Sequence, residues 1–75
     1  MNKARRKKIS EILEQLEGLS VEIEEVMNEE QEAYDNLPES IQYSERGENM
    51  EGYISSLDDA MNYVSDAISS LEEIE

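Results

Sequence analysis

Histidine, cysteine, tryptophan and phenylalanine are absent from this 75-residue chain. Without histidine, the commonest general base and the commonest metal ligand are missing. A ferritin-like Glu-x-x-His di-iron site is excluded with it. Without cysteine there is no disulfide framework and no thiolate zinc site. Proline occurs once, at Pro38, and glycine three times, at Gly18, Gly47 and Gly52. Long apolar runs are lacking too. No stretch approaches the 18 or so apolar residues of a membrane span. The basic start, Lys3 to Lys8, is followed by Ile9-Ser10-Glu11-Ile12-Leu13-Glu14, which is no signal-peptide core. A cytoplasmic protein, with no membrane partner, is therefore expected.

Positive charge is scarce. Six bases face 20 acids, for a net charge of -14. Five of those bases lie in residues 3–8, and from residue 9 onward Arg46 is the only one. Phosphates would be repelled, so direct nucleic-acid binding is not expected.

What is present is helical periodicity. With Ile9 as position a of a heptad, Ile9, Leu16, Ile23 and Leu37 fall at a, and Ile12, Leu19, Val26 and Ala33 at d. Leu13, Met27 and Tyr34 add position e. Glu30 is the single acid on the seam. It is expected to snorkel to water near the hairpin end or to pair with Arg46. The second segment repeats the design. Met50, Leu57, Val64 and Leu71 fall at a, Tyr53, Ala60, Ala67 and Ile74 at d, and Ile54, Met61 and Ile68 at e. Tyr63 falls at g, where exposure is expected.

Pro38 disfavours a helical Leu37, so the first helix should stop near Asn36. Ser44 is a fitting N-cap for the second. The predicted organisation is a basic segment, 1–8, then a hairpin over 9–75. Its helices span about 9–36 and 45–74, with a loop at 37–44. Leu37, Ile41 and Tyr43 are expected to fold back and plug the hairpin end. Gly47 and Gly52 are expected to fray the start of the second helix. The basic segment is expected beside Glu72, Glu73 and Glu75, each offsetting the other's unfavourable macrodipole position.

The predicted fold is all-α, an antiparallel two-helix hairpin of coiled-coil character. An a/d/e stripe is wider than one helix–helix contact. A homodimer forming a four-helix bundle is therefore expected. The expected oligomer core is Ile12, Leu16, Leu19, Ile23 and Val26 from the first helix. Ile54, Leu57, Met61, Val64, Ile68 and Leu71 supply the second.

The acids are the candidate functional residues. Glu22, Glu25, Glu29 and Glu32 on the first helix, with Asp58, Asp59 and Asp66 on the second, form the expected partner-binding acidic face. Inward carboxylates on helices can hold Mg²⁺. Most of these fall at water-facing positions with no base nearby for a phosphate, so neither catalysis nor a cofactor is expected. Residues 9–75 carry 20 acids against one base. On a rod of about 50 Å, that is one net charge per roughly 2.6 Å, and per about 1.3 Å for a side-by-side dimer, against about 1.7 Å in duplex DNA.

The central Asn36-Leu37-Pro38-Glu39-Ser40 and Ser44-Glu45-Arg46-Gly47-Glu48, flanked by acidic heptads, resemble small acidic proteins of Gram-positive phages and mobile elements. That resemblance covers most of the chain. It implies an accessory protein working in a bacterial cytoplasm. The expected function is binding and inhibiting or redirecting a host protein, such as a defence or nucleic-acid enzyme, as an acidic DNA mimic. The alternative is a structural module that assembles through its apolar stripe.

Overall fold

The structure is a computed structural model that describes residues 1–74. Two long helices, α1 (Lys3–Asp35) and α3 (Glu45–Glu72), pack side by side, joined by a single turn, α2 (Glu39–Gln42). No strand occurs among the described residues. The molecule is a rod, 58 Å long and 15 by 12 Å across.

Helix α1 begins six residues before the first apolar seam position. Asn2 explains this. Its side-chain oxygen accepts a hydrogen bond from the Arg5 N–H at 2.8 Å, capping the first turn. The Lys, Arg and Ala residues that follow are good helix formers and need no apolar contact. The basic segment is thus the first two turns of α1, not a separate tail.

The end of α1 follows the proline argument. Asn36 is the C-cap, its N–H donating to the Glu32 carbonyl at 3.1 Å, while the next N–H, of Leu37, donates to the Tyr34 carbonyl at 3.0 Å. Ser44 occupies the N-cap of α3, and its carbonyl accepts from Glu48 N–H at 3.0 Å. Its hydroxyl, however, donates back to the Ile41 carbonyl and caps nothing in α3. Leu37 and Ile41 are half-buried, as a plug requires, but Tyr43 is 77% exposed and takes no part.

Three contacts fix the corner. The Gln42 side-chain amide donates to the Tyr34 carbonyl at 3.0 Å. The Tyr34 hydroxyl donates to Glu51 Oε1. Gly47 lies buried against α2, where a Cβ would overlap the Gln42 carbonyl. Gly47 does not fray α3. It is the residue that lets the first turn of α3 reach the α2 turn.

The seam between the helices uses positions a and e. On α1, Ile9, Leu13, Leu16, Ser20, Ile23, Met27, Glu30 and Tyr34 are half-buried. On α3, Ile54, Leu57, Met61, Val64, Ile68 and Leu71 match them, above a buried Met50. Successive steps of four and three residues average 3.5, the coiled-coil period. Met50 is the only buried hydrophobic residue among those described.

Tyr34–Glu51 also sets the register. Counting away from that pair in opposite directions brings Val26 level with Ala60 and Leu19 level with Ala67, within one residue. Glu72 comes level with about residue 13, so Lys3–Lys8 run past the end of α3. The bases therefore do not sit beside Glu72 and Glu73, because α1 is the longer helix. Glu75, the third acid expected there, lies outside the described residues.

Candidate interaction surface

Position d is left over when a and e form the seam. On a helical wheel, d and e flank a on opposite sides. Placing e toward the neighbouring helix turns d to one flank. In an antiparallel pair, the d residues of both helices turn to the same flank.

The structure shows that flank open. Leu19 and Val26 are each 51% exposed and Tyr53 is 59% exposed. Ile12 and Ile74 are exposed at the far end of the same stripe. Leu19 and Val26 border a groove of about 310 Å³ with Leu16, Ile23, Leu57 and Val64, and Glu22 is the only charged residue lining it. Toward the corner, a second groove of about 630 Å³ takes in Ala33, Met50 and Tyr53, with Arg46, Glu30 and Glu45 around it. Position d carries large side chains on α1, Leu19 and Val26, and small ones on α3, Ala60 and Ala67.

The expected oligomer core therefore divides in two. Leu16, Ile23, Ile54, Leu57, Met61, Val64, Ile68 and Leu71 close the seam within one chain. Ile12, Leu19 and Val26 remain exposed. The pattern grouped them because all three positions are apolar. It does not say which side the second helix takes.

The acids do not gather on one face. Glu22, Glu25, Glu29, Glu32, Asp58, Asp59 and Asp66 are all exposed. Glu22 and Glu29 fall at g, along the α1 rim of the open stripe. Glu25 and Glu32 fall at c, beside that rim on the outer edge of α1, Asp59 and Asp66 at c on the outer edge of α3, and Asp58 at b on the opposite flank. Among the described residues no group of three or more acids is placed to hold a metal ion. Nor does any side-chain hydrogen bond among them pair an acid with a base. Glu30 and Arg46 line one groove without such a bond.

One titratable group is clearly perturbed. The hydrogen bond from Tyr34 to the Glu51 carboxylate pushes the Tyr34 phenol up to about 12. Partial burial and the negative charge of Glu51 act the same way. This is a structural contact at the corner, away from the apolar groove.

The rim of α3 was missed as a set from the sequence. Asn49, Ser56, Tyr63 and Ser70 recur every seven residues at g, and none is charged. Tyr63, there, is 72% exposed. The uncharged heptad position in so acidic a chain was the available signal.

No helix among the described residues is long and apolar enough to cross a membrane. No protein family, curated protein or solved structure matches the chain.

Proposed function

We propose that this chain is a helical-hairpin interaction module that works by burying its open d stripe against helices of another chain. The observation that carries this is the groove between Leu19, Val26, Leu57 and Val64, apolar on its floor and walls and uncovered along the rod. With one buried hydrophobic residue among those described, the chain gains little from its own core. Domains of this size complete their stability with metals, disulfides or a partner. There is no cysteine or histidine for the first two.

Affinity capture from a bacterial lysate tests this reading. The wild type is compared with a Leu19→Glu/Val26→Glu variant, with washes at low and high salt. A groove-bound partner withstands salt, because apolar burial is not screened, and is lost from the variant. A partner, a second copy of the chain included, that is held equally by both proteins rejects the reading.

A second reading concerns the carboxylates. Among the described residues they are exposed from Glu11 onward, apart from half-buried Glu30, and no side-chain hydrogen bond pairs one with a base. Such a surface suits a protein with a basic cleft, including a nucleic-acid or defence enzyme of a bacterial host. The linker resemblance to phage accessory proteins supports the same view. Binding of this kind falls steeply with ionic strength. It weakens on Asp58→Asn/Asp59→Asn and is indifferent to Leu19 and Val26.

A further inference from the structure

We infer that the occupant of the open groove is a second copy of this chain, docked with both hairpin corners at the same end. In that arrangement α1 of each copy lies on α3 of the other. The inference rests on the groove reading above and names the partner for it.

The face is the size of a small interface. Its two-helix part, where the apolar stripe runs from Ile12 and Ile74 to Tyr53, is about 32 Å long at 1.5 Å per residue. At 15 Å across the footprint is roughly 500 Å², at the low end of specific interfaces, so self-association in the micromolar range is expected.

Shape and charge set the orientation. A two-fold axis along the rod places α1 over α3 at matched heights. Leu19 then meets Ala67 of the second copy, and Val26 meets Ala60. Each large side chain meets a small one, which is how layers interdigitate. At the rims, acidic g positions of α1 meet uncharged g positions of α3. Glu22 comes opposite Tyr63 of the second copy, and Glu29 opposite Ser56. Both carboxylates gain a hydroxyl donor. The exposed Tyr63 thereby has a role.

The reversed arrangement lays α1 on α1. It sets Glu22 against Glu22 and leaves Ala60 facing Ala67. Like charges face each other across the rim, which costs stability. Acids elsewhere on the two corners are felt less, since the Debye length is about 8 Å at physiological salt. In both arrangements every helix runs antiparallel to its two neighbours, as in four-helix bundles, so shape and charge decide between them.

Two measurements decide this. Sedimentation equilibrium of the full chain across the micromolar range should give twice the monomer mass. Leu19→Glu/Val26→Glu should weaken dimerisation by about 100-fold or more, the effect of burying unpaired carboxylates. Both positions are exposed within one chain, so circular dichroism at high concentration checks that the helices remain. For orientation, a spin label goes on Ser40→Cys, unambiguous because the chain has no other cysteine. Ser40 is exposed on α2. Corners at one end give label separations of about 20–30 Å, from helix diameters and spacings. Corners at opposite ends give roughly 50 Å.

A wild type that stays monomeric overturns the second copy, while lysate capture still decides the groove independently. A dimer that the double variant leaves intact overturns the groove as its interface. A separation near the rod length overturns the orientation.

Discussion

The Tyr34 hydroxyl donates to Glu51 Oε1, and among the described residues no other side-chain hydrogen bond joins α1 to α3. The rest of that contact is apolar and half-open. This bond therefore fixes register at the corner end, where Gln42 also ties α2 to the Tyr34 carbonyl.

Its pH dependence has a definite sign. The folded Tyr34 phenol titrates at about 12, above its ordinary value near 10. The unfolded state loses its proton first. The stabilising contribution is fully present below about pH 10 and lost as pH rises through about 12. Thermal melts followed by circular dichroism at rising alkaline pH should show this loss. Tyr34→Phe should lower the midpoint at neutral pH and remove that alkaline component.

The three glycines should respond differently to alanine. Gly18 and Gly52 face open space, and alanine there should stabilise the helices by about 0.5–1 kcal/mol each. Gly47 has no room, because a Cβ would overlap the Gln42 carbonyl. Gly47→Ala should destabilise by about 1–3 kcal/mol as α3 is pushed off α2. Urea titrations of the three variants test the contrast. A stabilised Gly47→Ala would show that the corner does not pack this tightly.

Met50 carries the buried part of the core, at 8% exposed. Truncation to alanine should cost about 2–4 kcal/mol, from lost transfer energy and the cavity left behind. In a chain this small that is a large share of total stability. The expected result is a strongly lowered denaturation midpoint, read by circular dichroism.

Charge repulsion should be visible in bulk. A net charge of -14 destabilises the compact state. Added sodium chloride should raise the melting temperature by screening the carboxylates. Mild acid should do the same as they protonate. Loss of helicity below pH 4 would contradict this account.

Much of the fold was legible in the sequence, for local reasons. The 3.5-residue spacing of Ile, Leu and Val dictated two long helices. Pro38 dictated where the first one ends, since it bars a helical Leu37. Ser44 marked the cap position of the second. The helical start at Lys3 was hidden because exposed first turns show no apolar period. Gly47 read as a weak point because its cost in a helix is local, while its use is a contact with Gln42.

The division of the stripe was settled only by tertiary structure. Positions d and e flank a symmetrically enough that the pattern permits either to face inward. Which one does depends on the side to which the corner delivers α3. The contact of Gly47 with Gln42, and of Tyr34 with Glu51, turns α3 onto the e side of α1. Leu19, Val26 and Tyr53 are open to solvent as a consequence. A linear pattern gives the width of an apolar stripe. Only the placement of the second helix decides which part of that width stays uncovered.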